Sequence, residues 1–363
     1  MNKYLKNYTL LNKEVKDDNN LTRTLRGIMK TPTLQYILFG VLMCIVGFLA
    51  TEKILPYSWQ SAFATTFAYA IASIGFCLLM GYSGLASLGT GGFIGIGTYA
   101  VHYVMVESKL PFAIALLAAL GVSILIGLIV GFISLRIEGI YLVILTLALS
   151  EILRTLYSAI EPKLTLSSSD ALLFGVKFPR TSSLMLVSVF LVVIMIITTN
   201  LINSPTGRAM LAMKNSTAAA QAMGISLIKY RLMAFVICTA YASVTGVLLM
   251  MVVRSADATD PTGYYALITS LNILAAVIIG GFKSVWGAVF GTFIMYGIKL
   301  VVFSQIEILA KNPLIITLIS GVLVIVIVMF FPGGLAQLLL EAKGKVKKLK
   351  QRLKEDKYGK DLG

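Results

Sequence analysis

The sequence predicts an all-α membrane protein: a polytopic bundle of about ten transmembrane helices with both termini in the cytoplasm. Of the 363 residues, 58% are hydrophobic and 13% are charged, whereas a soluble domain is about half apolar and a quarter charged. Long apolar stretches recur along the chain, and a helix needs roughly 20 apolar residues to cross the bilayer with its backbone groups paired. Basic residues cluster at both ends, seven before Pro32 and nine after Glu341.

Three regions follow in order: a polar, basic leader over 1–33, a transmembrane domain over 34–331 and a basic tail over 332–363. The first apolar run lacks an A-x-A type cleavage site, so it is interpreted as a retained span and not as a signal peptide. The ten predicted spans are 34–51, 58–80, 91–106, 111–135, 140–157, 184–202, 232–253, 264–280, 286–303 and 314–331.

The distribution of positive charge sets the orientation. With both termini inside, 22 of the 31 Lys and Arg residues fall in predicted cytoplasmic segments, as the positive-inside rule requires. Basic clusters beside spans also favour anionic lipid head groups. Membrane lipids are therefore the expected partners of this charge, and nucleic acid is not, since no nucleic-acid-binding module accompanies it.

Two glycine-rich segments differ from ordinary spans. Residues 81–97 contain seven glycines plus hydroxyl residues, and 280–287 repeat the pattern more weakly. Glycine permits unwound turns that a lipid-facing helix avoids, and paired segments of this kind indicate a transport site. Tight helix contacts are the alternative, and re-entrant or broken helices are left open. The candidate translocation path comprises Gly81, Ser83, Ser87, Gly89, Thr90, Gly91, Gly92, Gly280 and Gly281.

The cytoplasmic segment 203–231 reads as two short helices. Ser204 followed by Pro205 predicts the first helix start, Asn215 or Ser216 offers a second, and Gly224 is a stop signal. Between these signals, 216–223 consist largely of alanine. A capped, alanine-rich helix between basic flanks favours docking into a groove on another protein, whereas a solvated loop is the alternative.

This segment resembles the coupling loop of ATP-binding-cassette importer permeases, in which glycine follows an alanine pair, here Ala219, Ala220 and Gly224. Four further stretches resemble the LivM-type permeases of branched-chain amino acid importers. They are GYSGLASLGTGGFIGIGTYA at 81–100, RIEGIYLVILTLALSEILR at 136–154, GGFKSVWGAVFGT at 280–292 and PGGL at 332–335. Many members carry histidine where this chain has Thr90, so the resemblance does not transfer a substrate contact to that position.

The resemblance implies a permease subunit of an importer for leucine, isoleucine and valine in a cell membrane, with a bacterial source expected. It also implies a second, LivH-like permease, two ATP-binding subunits that hold ATP and Mg²⁺, and an extracellular solute-binding protein. The coupling-loop residues would be Arg208, Asn215, Ala219, Ala220 and Gly224. Related permeases carry urea, amides or nucleosides, so these cargoes remain alternatives.

The chain is not predicted to be an enzyme. It has no G-x-x-x-x-G-K-[ST] phosphate loop, so it binds no cofactor of its own in this interpretation, and no catalytic or metal site is expected. The three cysteines, Cys44, Cys77 and Cys238, lie in apolar runs and read as inert thiols.

Charges within the spans bear on a rival class, the ion-coupled secondary transporter. Glu151 and Arg154 lie three residues apart on one helix face, which favours a structural ion pair over a clamp for a substrate carboxylate. His102 reads as an interfacial histidine. Asp257 and Asp260 read as turn residues beside Pro261, with contact to a binding protein as the alternative.

Overall fold

The structure is a computed structural model and describes residues 32–51, 56–134, 139–167, 171–173, 176–260 and 263–302, with isolated positions between 318 and 329. Its α-helices are α1 Pro32–Thr51, α2 Tyr57–Leu78, α3 Thr90–Val101, α4 Phe112–Ser134, α5 Ile140–Ile160, α6 Ser183–Asn203, α7 Pro205–Asn215, α8 Thr217–Ala222, α9 Leu227–Val253, α10 Leu267–Gly280 and α11 Val285–Thr292. Wider π-helical turns extend α2 over Leu79–Ser83, α3 over His102–Glu107 and α11 over Phe293–Val302.

Five described helical stretches are long and apolar enough to cross a membrane, and three shorter apolar helices accompany them. The long stretches are Tyr57–Ser83, Phe112–Ile133, Ile140–Ile160, Arg180–Asn203 and Leu227–Val253. The predicted class, a helical membrane bundle, is therefore confirmed, while the number of ten crossings and the orientation stay predictions. The leader up to residue 31, most of the tenth predicted span and the tail lie outside the described residues.

One predicted boundary shifts by five residues, more than one helical turn. We expected the seventh span to begin at 232, but α9 begins at Leu227. Hydropathy excludes Lys229 and Arg231 from a span, whereas a helix continues through such residues once their side chains reach the surface.

The bundle is built around its most buried helices. In the most apolar stretch of each candidate span, 89% of the residues are buried in the span from Tyr57 and 78% in α9, against 22% in α4 and 28% in α5. The shorter α3 is also buried almost throughout. α9 packs closely on α3, where Gly246 meets the backbone of Ile94 and Gly97 meets that of Ser243. Small residues let these backbones approach, so the inner helices form the core and the outer apolar faces are left for lipid.

The described residues include four short strands in the connections between helices. They are β1 Lys163–Thr165, β2 Leu172–Leu173, β3 Val176–Lys177 and β4 Ser255–Asp257. β1 follows α5 and pairs antiparallel with β4, which follows α9; β2 pairs antiparallel with β3. The polar connection between α5 and α6 thus contains paired strands, and its serines 168 and 169 lie outside the described residues.

Asp257 has the predicted turn role and a second role that the sequence did not reveal. Its Oδ1 accepts from the Thr259 N–H at 2.8 Å, a hydrogen bond that holds the turn after β4. Asp257 is also the last residue of β4, opposite Lys163 in the ladder, and its carboxylate lies 3.7 Å from the Lys163 ammonium. Asp260 does lie in a turn, in which its carbonyl accepts from the Gly263 N–H at 3.1 Å.

The two ends of α9 define the two ends of the bundle. α9 has 27 residues, about 40 Å of helix, with α8 before it and β4 after it. We call these the α7 end and the β end, because α7 lies beside α8 at the first and β1 lies beside β4 at the second.

Candidate functional site

A helix break inside the bundle is the central feature of the site. After the π-helical turn Leu79–Ser83, Gly84 adopts a left-handed conformation (φ 76°) and the chain is not helical until Thr90. The new helix, α3, begins beside Ser150, near the middle of α5. The glycine-rich segment is therefore a broken helix, one of the alternatives that its composition left open.

Hydroxyl groups from two other helices cap the start of α3. Thr146 Oγ1 accepts from the Leu88 N–H at 3.0 Å, Ser150 Oγ from the Gly92 N–H at 2.9 Å and Ser270 Oγ from the Gly91 N–H at 2.8 Å. The first N–H groups of a helix lack intrahelical acceptors, and apolar surroundings supply none. The glycine pattern did not indicate these three residues, although the i, i+4 spacing of Thr146 and Ser150 in an apolar helix was a signal.

Two predicted path residues carry free hydroxyls. Ser83 is 4% exposed and Thr90 is 3% exposed, and among the described residues neither hydroxyl has a hydrogen-bond partner. Ser87, by contrast, accepts from the Gly89 N–H at 3.2 Å. An unpaired buried hydroxyl costs about 1–3 kcal/mol, so Ser83 and Thr90 are ready to bond to a polar group that enters the break.

The second glycine-rich segment is a tight turn between two helices. α10 ends at Gly280, Gly281 takes a positive φ of 99°, and Ser284 caps α11 by accepting from the Gly287 N–H at 3.0 Å. A Cβ at Gly280 would overlap the Gly287 carbonyl. The glycines here serve close packing of backbone on backbone.

The two glycine-rich segments meet each other. A Cβ at Gly81 would overlap the Phe282 carbonyl oxygen. The same carbonyl accepts from Cys77 Sγ at 3.0 Å, and the Tyr82 hydroxyl donates to the Lys283 carbonyl at 3.0 Å. The structure thus joins both parts of the predicted path, and it shows that Gly81, Gly280 and Gly281 belong to packed junctions.

A layer of tyrosines lies on the β side of the break. Tyr99 stacks on Tyr157 with ring centroids 4.5 Å apart, and Tyr265 lies within 6.1 Å of both rings. The Tyr157 hydroxyl donates to the Gly92 carbonyl at 2.9 Å, and Thr98 donates to the Tyr265 hydroxyl at 2.9 Å. These buried rings fill the interior beyond α3. No local pattern in the sequence groups them.

The coupling segment, α7 and α8, lies at the α7 end. Ser204 caps α7 through the Gly207 N–H, and Ser216 caps α8 through the Ala219 N–H at 3.3 Å. Asn215, which offered the same start, is instead the last residue of α7. Gly224 ends the segment with a left-handed φ of 77°.

The two residues of the alanine pair, Ala219 and Ala220, differ in exposure. Ala219 is exposed, as are Arg208 and Asn215, whereas Ala220 is fully buried within the chain itself. Only Ala219 of the pair is therefore accessible to another protein.

Polar groups in and beside the outer helices pair locally. Arg154 Nε donates to Glu151 Oε1 at 3.0 Å, and Arg154 Nη1 donates to the Ala258 carbonyl at 3.3 Å. His102 Nε2 lies 3.1 Å from Glu161 Oε2, a partner that the sequence did not reveal. A nitrogen of His102 and oxygens of Glu107 and Glu161 lie within 4.8 Å of one another; the expectation of no metal site stays a prediction.

Residues 60–330 match the family described as "Branched-chain amino acid transport system / permease component". The chain belongs to this family. The match covers most of the chain, including the helix break, the coupling segment and the α10–α11 turn. The resemblance stated from the sequence is thereby confirmed, and the broken helix and capped segment described above are features of a permease component.

Three relatives are named as permease proteins of branched-chain amino acid transport. The chain is 32% identical over 248 residues to the high-affinity branched-chain amino acid transport system permease protein LivM of Salmonella typhimurium, covering 60% of this chain and 57% of that protein. It is 29% identical over 259 residues to LivM of Escherichia coli, covering 63% and 60%. It is 27% identical over 207 residues to a probable branched-chain amino acid transport permease protein LivH of Methanocaldococcus jannaschii, covering 56% and 57%.

The chain thus spans about three fifths of the length of the curated relatives it matches. No solved structure matches it.

Proposed function

We propose that this chain is a permease subunit of an ATP-binding-cassette importer for leucine, isoleucine and valine in a cell membrane. The observation that carries the proposal is the contact between a helix broken inside the bundle and a capped helical segment at the α7 end. The broken helix supplies an adjustable point in the interior. The capped segment supplies a surface on which the ATP-binding subunits can dock.

The proposal includes four partner chains. A second, LivH-like permease would complete the path, since LivM and LivH are named as separate permease proteins of branched-chain transport. Two ATP-binding subunits with ATP and Mg²⁺ would dock on the α7 end, which the positive-inside rule assigns to the cytoplasm. An external solute-binding protein would dock on the β end.

Transport in this proposal is a conformational process. Movement of α8 by the ATP-binding subunits would shift α7 and the break, and α3 would then separate from the hydroxyls that cap it. The unpaired Ser83 and Thr90 hydroxyls would meet the polar groups of the passing amino acid. The chain itself performs no covalent step.

A secondary transporter is the competing class. Such a protein normally needs ionisable groups or unwound polar backbone at mid-membrane that bind the coupling ion. In the described part of the chain, Glu151 and Arg154 satisfy each other, which supports the importer. Reconstitution in liposomes with all four proposed partner chains tests the classes: leucine uptake should require ATP. Uptake that persists without ATP and follows a proton or sodium gradient would refute the proposal.

The cargo is tested separately, because specificity in such importers rests largely with the binding protein. The purified binding protein should bind leucine, isoleucine and valine. Preferential binding of urea, an amide or a nucleoside would reassign the cargo while leaving the importer class intact.

The exposed face of α8 gives the sharpest test of the coupling segment. Ala219→Asp should abolish association with the ATP-binding subunits and ATP-dependent uptake, because it places a charge at an apolar contact. Ala219→Ser, of similar size and uncharged, is the matched control and should retain both. Substitutions of Ala220 are unsuitable, since its burial would confound docking with folding. Normal association and uptake in Ala219→Asp would contradict docking through α8.

A further inference from the structure

Lys214, in the last turn of α7, reaches from the coupling segment to the helix break. Its ammonium donates to the Met80 carbonyl at 3.0 Å and to the Gly81 carbonyl at 2.9 Å. Both carbonyls lie in the π-helical turn Leu79–Ser83 that ends α2. Carbonyls at a helix end lack intrahelical partners and favour a nearby cation. The Lys214 side chain of α7 therefore supplies the hydrogen-bond donor at the C-terminal end of another helix, α2.

The aliphatic part of the Lys214 side chain and the residues near it in α7 also pack against the break. Lys214 Cγ packs on Gly84, where a Cβ would approach to 3.2 Å and where the positive φ also favours glycine. Its neighbours Met210 and Met213 are buried, and Met210 packs in a cluster that includes Leu79. α7 is thus fastened to the beginning of the break by apolar packing and by two hydrogen bonds.

The ammonium is in an unusual environment for a lysine. Burial lowers the pKa of Lys214 below its ordinary value, and the positive charge of Lys283 lowers it further. Both effects oppose the charged form, while the carbonyl oxygens stabilise it.

The carbonyl partners of Lys214 also adjoin the second glycine-rich segment. Gly81 packs on the Phe282 carbonyl, and the next residue, Tyr82, donates to the Lys283 carbonyl at 3.0 Å. Three elements therefore converge within Met80–Tyr82: the coupling segment, the break and the α10–α11 turn. A displacement of α7 acts on all of them at one point.

We infer that Lys214 is a positioning residue that transmits movement of the coupling segment to the helix break by holding the Met80 and Gly81 carbonyls. This inference rests on the proposed function. A purely structural cap would instead support the stability of the bundle and leave the number of solute molecules moved per ATP unchanged.

The experiment compares variants of the complete importer reconstituted in liposomes. Lys214→Met removes the hydrogen bonds and keeps an apolar stem of similar length, Lys214→Gln keeps a neutral donor, and Lys214→Arg keeps a charged donor. Lys283→Met removes an exposed ammonium in the adjoining turn and controls for charge alone. Leucine uptake, ATP hydrolysis with loaded binding protein, co-purification of the ATP-binding subunits and melting temperature are measured for each.

For Lys214→Met we expect leucine transported per ATP to fall about tenfold, the effect of losing a hydrogen bond to a charged group, with normal co-purification of the ATP-binding subunits. Lys214→Gln should fall between this variant and wild type, and Lys214→Arg and Lys283→Met should remain near wild type. An unchanged ratio in Lys214→Met and Lys214→Gln, or a proportional loss of hydrolysis and uptake with a lowered melting temperature, would overturn the inference. Failure of the proposed function is distinguishable, because wild-type uptake would then not depend on ATP.

Discussion

The two glycine-rich segments differ in which hydroxyls accept from their backbone N–H groups. At the first, the N–H groups of Leu88, Gly91 and Gly92 bond to hydroxyls of α5 and α10, which are distant in sequence. At the second, the Gly287 N–H bonds to Ser284, three residues away. The helix that follows the first segment is therefore capped by other helices, whereas the helix that follows the second is capped locally.

We therefore expect the hydrogen bonds of the first segment to change when the helices move and the cap of the second segment to stay the same. If α5 or α10 moves relative to α3, the first segment loses acceptors and must find others. The second segment keeps its cap in any arrangement of the helices, and its glycines lock α10 against α11. Glycine density alone therefore did not distinguish a helix break from a packed turn; the source of the capping hydroxyls does.

The largest expected effect is at the packed turn. Gly280→Ala places a methyl group against the Gly287 carbonyl, which is backbone and cannot rotate away. We expect destabilisation by about 3 kcal/mol, seen as a lower melting temperature and less monodisperse protein in detergent. Gly121→Ala, on an exposed face of α4 with open space around it, is the control. A wild-type melting temperature for Gly280→Ala would show that the turn is not locked.

A smaller effect is expected at the break. Ser150→Ala leaves the buried Gly92 N–H without its acceptor, so we expect a loss of about 2 kcal/mol and faster amide hydrogen exchange at Gly92. Ser188→Ala is the matched control, because Ser188 is buried but donates only to the Leu184 carbonyl of its own helix. Equal exchange at Gly92 in wild type and Ser150→Ala would mean that α5 does not hold the break.

The smallest effect is expected at the local cap of the second segment. Ser284→Ala removes the acceptor of the Gly287 N–H, but the site is only half-buried and water can replace the hydroxyl. A loss of about 1 kcal/mol is typical of such a cap, measured as a shift in melting temperature. If Ser284→Ala proved more damaging than Ser150→Ala, the contrast between the two segments would be reversed.

Local signals predicted much of the architecture. Apolar length located the long helices, Ser204 with Pro205 marked the start of α7, and Gly224 marked the end of the coupling segment. These features depend on residues that are near one another in sequence, so a linear pattern contains them. The ion pair of Glu151 and Arg154 was predictable for the same reason.

Contacts between distant helices were not predictable in this way. Nothing in the local pattern places Ser270 beside Gly91 or Lys214 beside Met80, because both contacts depend on how the helices pack. The same limit applies to Ala220, which looked equivalent to Ala219 until packing buried it. Composition thus located the glycine-rich segments, and the structure showed which distant hydroxyls and which lysine contact them.

The β1–β4 ladder has a consequence for how the bundle can open. Lys163, Leu164 and Thr165 pair with Asp257, Ala256 and Ser255, which ties the last turn of the outer helix α5 to that of the inner helix α9. These two helices cannot part at the β end without breaking main-chain hydrogen bonds. If the ladder stays intact, the distance between these two helices can change more at the α7 end than at the β end.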